Sequence, residues 1–230
     1  MAGIYTDEDI LRRELVRFSR CVARLGFTPG TAGNLSARLD SNRLLITPTG
    51  MSKRFLQAAD LVIVDLHGRL VAGSRNATSE LSMHLAIYQL RPDVHAVVHS
   101  HPPVATAFAC SGRGIDDRLC QEAVMTLGTV PLARYATTGT DEVASSLAPF
   151  IPNHDAILME NHGAVTCGAT LLEAFLYTET VEHLAQVALA CHQLGSPRPL
   201  DASQVEQLHR ARLKYASNVA VLSPGELCPR

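Results

Sequence analysis

His99 and His101 stand two residues apart at the end of an apolar run, VVHSHPP, and this is a chelating spacing. On an extended strand the side chains at i and i+2 share a face, so both imidazoles reach one ion side by side. Pro102 and Pro103 cannot extend a hydrogen-bonded ladder and leave the pair at the rim of a sheet. Two hydrogen-bonded histidines at a sheet edge would share this spacing, so the reading turns on further ligands. His162, in LMENHGAV, follows another apolar run and precedes Gly163, where a backbone can approach closely. Glu80 falls in the first turn of a helix read from TSELSMHL, with His84 one turn further on the same face. Three imidazoles and a carboxylate suit a divalent, zinc-like ion, and a carboxylate able to swing away leaves the open position that catalysis needs. Among the ten histidines, His84 and His95 read as hydrogen-bond partners of the ligands. His67, His154, His183, His192 and His209 read as surface or packing residues.

A second chemistry lies in TAGNLS, TPTG and ATSE. Gly33 and Gly50 permit close backbone approach, and Asn34, Thr49, Thr78 and Ser79 can donate hydrogen bonds to an anion such as phosphate. Thr78 and Ser79 also fall at a helix N-terminus, where free amides favour negative charge. Each segment alone reads as turn chemistry or a helix cap; the agreement of three points to an anion site. Lys53 follows TPTGM. As a surface lysine it reads first as a solvated loop residue, with a charge contact to substrate as the functional alternative.

These residues need a scaffold. DEDILRRELVRFSRCVARLG carries a broad helical stripe, ended by Gly26, and FTPGTAGNLSARL follows as a loop. RLLITPTG and ADLVIVDLHGRLVAG read as short strands. TSELSMHLAIYQLRPD reads as a helix capped by Thr78 or Ser79, VHAVVHSH as a strand and PPVATAFAC as the start of a helix. TVPLARY and DAILMENHGAVTCG read as extended, on either side of a helical TDEVASSLAPFI. TLLEAFLYTETVEHLAQVALACHQLG is the longest helix, and ASQVEQLHRARLKYASN is the last. Strands interleaved with helices predict an α/β domain with helices packed over a sheet.

The chain has 230 residues, enough for one large domain, and a formal net charge of -2 with Lys and Arg scattered. That pattern excludes nucleic acid and anionic membranes as expected partners. Six cysteines without a C-x-x-C read as reduced, mostly buried thiols. The charged start MAGIYTDEDILRREL lacks the apolar core of a signal peptide, and a cytoplasmic protein is expected.

The ordered set GTAGNLS, LITPTG, TSE with its helix, VVHSHPP, YATTGT and NHG resembles the class II aldolase/adducin family, most closely its bacterial L-fuculose-1-phosphate aldolases. The resemblance runs from the first helix to near the C-terminus. It implies one domain over residues 1–230, with 1–5 and about 220–230 flexible. The implied fold is a three-layer α/β/α arrangement, a central, largely antiparallel sheet covered by helices on both faces. It also implies one divalent metal per subunit, zinc first with manganese or cobalt as alternatives, on Glu80, His99, His101 and His162. Phosphate would sit on Gly33, Asn34, Thr49, Gly50, Thr78 and Ser79, in a homotetramer with active sites between subunits. The implied reaction is reversible retro-aldol cleavage of a ketose 1-phosphate to dihydroxyacetone phosphate and an aldehyde, with Glu80 as base.

Cys120 stands where the family has a tyrosine that protonates the aldehyde, leaving Glu122, Tyr215 or water as donors. Tyr215 matches a second functional tyrosine. The same fold serves sugar-phosphate 4-epimerases, decarboxylases of 3-oxo-tetronate 4-phosphates, a methylthioribulose-phosphate dehydratase and non-catalytic adducin-type binding modules. Epimerases carry aspartate at the position of Glu80, decarboxylases read SKE in place of TSE, and binding modules lack the metal ligands. All three comparisons favour the aldolase reading.

Overall fold

A computed structural model describes residues 7–195 and 197–215. Helix α1 (Asp7–Arg24) begins with Asp7, Glu8 and Asp9, whose charges suit a helix N-terminus, and buries Leu15, Phe18 and Val22. Beyond it Gly26, at φ +80°, reverses the chain, and the Phe27 amide bonds back to the Val22 carbonyl at 2.9 Å. Strands β1 (Asn34–Arg38), β2 (Arg43–Ile46), β3 (Val62–Asp65) and β4 (Leu70–Ala72) then form an antiparallel meander. Helix α2 (Leu81–Leu90) leads into β5 (Ala96–Ser100), and α3 (Pro103–Cys110) and α4 (Gln121–Thr126) follow. The remaining elements are β6 (Leu132–Ala133), α5 (Asp141–Leu147), β7 (Ala156–Met159), β8 (Gly163–Gly168), α6 (Leu171–Leu194) and α7 (Ala202–Tyr215).

The eight strands make one sheet in the order β4-β3-β2-β1-β5-β8-β7-β6, antiparallel except for the β6–β7 pair. Alternation along each strand divides its side chains between two apolar layers. Leu35, Ala37, Leu45, Ile63, Ala96 and Val98 pack against α1 and the start of α6. Ala156, Leu158 and Ala164 meet α3, α4 and the middle of α6. On the opposite face Leu44, Ile46, Val62, Val64, Val97, Ile157 and Val165 meet α2 and α5. The chain is therefore a single α/β domain with helices on both faces of a largely antiparallel sheet, as the sequence and its resemblance led one to expect.

Four local expectations need correction. The stretch NLSAR lies in the middle of the sheet, as β1, where only a loop was expected. Its burial on both faces erases the polar-apolar alternation that marks a half-exposed strand. Helix α2 starts at Leu81, so Glu80 is its N-cap residue rather than a member of the first turn. Residues 121–126 form a helix where none was assigned. Of the described cysteines, all free, only Cys21 and Cys167 are buried. Among the described residues no helix is long and apolar enough to cross a membrane.

Candidate functional site

β1 and β5 pair so that Asn34 lies opposite His99, and β8 sets Val165 on the other side of His99. All three therefore project toward the α2 side of the sheet. His99 is fully buried, and its Nδ1 lies 3.0 Å from the Ala164 carbonyl. A carbonyl only accepts, so Nδ1 carries the proton and Nε2 presents a lone pair. One residue beyond β5, His101 is anchored by its own amide, which donates to the Phe27 carbonyl at 2.7 Å. The amides of Val104 and Ala105, at the start of α3, donate to the Glu182 carboxylate of α6 at 2.9–3.1 Å. His162 follows the tight β7–β8 turn, in which Asn161 takes φ +56° and the His162 amide bonds to the Met159 carbonyl at 3.0 Å. Asn tolerates this left-handed position better than most residues.

The three imidazoles converge, and their ligand nitrogens all lie within 4.8 Å of one another. Nε2 of His101 is 3.1 Å from Nε2 of His99. The Glu80 carboxylate completes the group, with Oε2 3.1 Å from His99 Nε2 and Oε1 3.2 Å from His162 Nε2. Two ligands on a tetrahedral ion with bonds of about 2.0–2.1 Å lie about 3.3 Å apart, so these separations are those of a coordination shell. The chemistry of the donor set agrees. The lone pair on His99 Nε2 faces a carboxylate oxygen that is also acceptor-only, and buried Glu80 Oε1 has no hydrogen-bond donor. A cation between these atoms resolves both conflicts. The three histidines could hold a metal ion, and the Glu80 carboxylate stands against two of them, so the structure brings together the four residues singled out in the sequence.

Behind the ligands runs a directed chain of hydrogen bonds. Asn34 Nδ2 donates to Glu80 Oε2 at 2.8 Å, and Asn34 Oδ1 accepts from His84 Nε2. His84 Nδ1 is 2.6 Å from the Ser36 hydroxyl, which lies 2.9 Å from the Tyr88 hydroxyl. The Asn34 acceptor requires a proton on His84 Nε2, so Ser36 donates to Nδ1 and in turn accepts from Tyr88. His84 is thus linked to Glu80 through Asn34, without a direct bond to any of the four residues. His95 stands apart: it is exposed at the opposite end of β5 from His99, about 13 Å along the strand at 3.3 Å per residue.

Burial opposes charge throughout the cluster. It drives the imidazoles of His84 and His101 down to about 3 and that of His162 to about 4, with the neighbouring His99 acting in the same direction. For Glu80 burial would raise the pKa, but His99, His162 and the Asn34 amide outweigh it and hold the carboxyl well below its usual range. The carboxylate is ionised at neutral pH.

A cavity of about 390 Å³ opens beside the cluster, lined by Gly33, Asn34, Thr49, Gly50, Thr78, Ser79, Glu80, His101 and His162. The three loops expected to face an anion thus meet at one wall, next to the metal ligands. Asn34 differs from the rest because its amide is already engaged by Glu80 and His84. Thr138, from YATTGT, and Lys53 also line the cavity. Lys53 corrects the expectation of a solvated loop residue: it is 2% exposed, and its Nζ donates to the carbonyls of Thr31 and Met51 at 2.8 and 2.7 Å. Cys120 caps α4, packs with the Ala105–Val130 layer and does not line this cavity. Tyr215 is the last residue of α7, but its side chain lies outside the described residues.

Residues 13–189 match the family described as the class II aldolase and adducin N-terminal domain. A 5-methylthioribulose-1-phosphate/5-deoxyribulose-1-phosphate aldolase of Rhodospirillum rubrum is 36% identical over 214 residues, covering 93% of this chain and 96% of that protein. The L-fuculose phosphate aldolase of Escherichia coli K12 is 35% identical over 190 residues, covering 83% of this chain and 87% of its own length. In three dimensions, a solved L-fuculose 1-phosphate aldolase superposes with a TM-score of 0.83 at 30% identity, over 92% of this chain and 99% of that one.

Proposed function

Since the chain belongs to the class II aldolase and adducin family and is a lyase, we propose that it cleaves a ketose 1-phosphate reversibly into dihydroxyacetone phosphate and an aldehyde. The observation that carries this reading is the meeting of Glu80, His99, His101 and His162 with the Gly33, Thr49–Gly50 and Thr78–Ser79 loops around one cavity. A phosphorylated substrate can be gripped at one end and polarised at the other. Glu80, His99, His101 and His162 would hold the divalent ion. When bound, that ion supplies Lewis-acid stabilisation of the negative charge that develops on the substrate oxygens as the carbon–carbon bond breaks.

The protein's own part centres on Glu80. Asn34 occupies Oε2, which orients the carboxylate and leaves Oε1 as its basic atom. A carboxylate held ionised at neutral pH accepts a proton at Oε1 and returns it to the carbon of the departing triose phosphate, the general-base role. The loop amides and hydroxyls near Gly33, Thr49, Gly50, Thr78 and Ser79 hold the phosphate and fix the reacting carbons relative to Oε1. In the condensation direction Tyr215 is proposed as the proton donor to the aldehyde oxygen; in cleavage the proton of that hydroxyl passes back to it as the aldehyde forms.

The relatives point to three candidate substrates, L-fuculose phosphate, 5-deoxyribulose 1-phosphate and 5-methylthioribulose 1-phosphate. Assembly into a homotetramer belongs to the same reading, and the exposed Leu176 and Leu194, on one side of α6, suit a face covered by another subunit. The test incubates metal-loaded enzyme with these three ketose 1-phosphates and with 3-oxo-acid phosphates. Triose phosphate from a ketose 1-phosphate supports the aldolase; carbon dioxide from an oxo acid, with no triose phosphate from any ketose, refutes it in favour of a decarboxylase.

A further inference from the structure

Lys53 is the cavity's unexplained charge. Its side chain is 2% exposed and lies against the wall formed by Thr31, Gly33, Thr49, Gly50, Thr78 and Ser79. Two of its three N–H donors are spent on the carbonyls of Thr31 and Met51, and the third has no protein acceptor among the described contacts. No carboxylate forms an ion pair with it among the described residues; Glu80 acts on it only through space and is itself held by Asn34 beside His99 and His162. A buried ammonium without a counter-ion is costly, so a fold keeps one where an anion arrives.

We propose that Lys53 is a specificity-determining residue that receives the phosphate of the substrate, its ammonium aimed into the cavity by the two carbonyls. The inference rests on the sugar-phosphate reading and extends it. The hydroxyls and amides of the loops hydrogen-bond an anion without opposing its charge, and Lys53 adds the positive charge that separates a phosphate ester from the free sugar. The same two carbonyl bonds tie the Thr31 segment to the Met51 segment, close in sequence to Gly33 and Gly50 of the cavity wall. Burial lowers the amine to about 8 and Glu80 opposes that shift, which leaves the cation dominant at neutral pH.

The test titrates inorganic phosphate into metal-loaded wild type, Lys53→Met and Lys53→Arg. Lys53→Met should bind phosphate about tenfold more weakly or worse, since Met keeps the length of the stem without its charge, with Lys53→Arg between the two because it keeps the charge on a longer side chain. Equal affinity in wild type and Lys53→Met overturns the proposal. A second readout needs no variant. The chain has only two lysines, Lys53 and Lys214, so wild type labelled at lysine Cε gives two side-chain resonances. Saturating phosphate should move that of Lys53, and a Lys53 resonance that stays in place overturns the proposal. Both readouts are independent of turnover. A protein whose Lys53 binds phosphate but which cleaves no ketose 1-phosphate refutes the aldolase activity and leaves this inference standing; an active aldolase with an indifferent Lys53 does the reverse.

Discussion

The side-chain amide of Asn34 bridges Glu80 and His84, donating to the carboxylate at 2.8 Å and accepting from the imidazole. Asn34 thereby selects which Glu80 oxygen is free. Asn34→Ala removes that selection while all four ligands remain, and kcat should fall about 10–100-fold, the usual cost of losing an orienting partner behind a metal ligand. Steady-state kinetics together with metal analysis check this; an unchanged kcat at full metal occupancy would contradict the orienting role.

Glu80→Gln keeps the shape and the Asn34 contact but removes the basic oxygen. Turnover should drop by about three orders of magnitude or more, while His99, His101 and His162 retain part of the metal. Single-turnover rates on protein of measured metal content decide the matter. A variant with near-normal rates would show that another group moves the proton.

Gly163 permits a close backbone approach beside His101. A Cβ there would sit 2.6 Å from the Ser100 carbonyl and 3.1 Å from His101 Cδ2. Gly163→Ala must push β8 from β5 or turn the His101 ring, so metal stoichiometry should fall below that of wild type and activity with it. Gly33, at φ +74°, is constrained twice over, because its Cβ would meet Thr28 at 2.5 Å and the His99 carbonyl at 2.9 Å. Gly33→Ala should lower both thermal stability and affinity for inorganic phosphate, measurable by melting curves at rising phosphate concentration.

The metal-free protein should weaken as the solution is acidified. His84, His101 and His162 are driven down to about 3–4 by burial, whereas an unfolded histidine titrates near about 6.5. Between those values the unfolded chain binds more protons, so stability is complete above about pH 6.5 and declines as the pH falls toward 4, by up to about 1.4 kcal/mol per pH unit for each histidine. The depressed Glu80 carboxyl acts in the same direction, its contribution being lost at still lower pH. Urea unfolding at pH 7.5 and 5 checks the sign; equal stability at the two values would mean that the histidines take up protons as readily in the fold as in the unfolded chain.

Removal of the ion by a chelator should abolish activity, and a divalent metal should restore it. Ligand substitutions at His99 or His101 should instead give protein that stays inactive on reloading. Rates and metal content before and after dialysis distinguish the two cases.

The convergence of Glu80, His99, His101 and His162 was legible because its signals are local. The H-x-H pair on a strand, NHG at a turn and Glu80 at a helix start are short patterns with geometric consequences. The hydrogen-bond chain behind them was only half legible. His84 follows Glu80 by one helical turn, but Ser36 and Asn34 reach it from β1, a strand whose polar residues face a buried network and so look like a loop. Lys53 was misjudged for a different reason. Most lysines are solvated, and its burial depends on main-chain carbonyls of Thr31 and Met51, whose orientation is set by loop conformation rather than by residue type. His95 and His101 flank the strand that carries His99, yet the sequence does not say which end of a strand will face the site.

Glu182 lies far from Glu80 in sequence and takes no part in the chemistry, yet its carboxylate grips the chain three residues past His101. The longest helix of the molecule thereby acts as a backstop for the imidazole pair. Catalytic machinery so mounted inherits the stiffness of the domain interior, and its empty and loaded forms should superpose closely instead of organising around the ion.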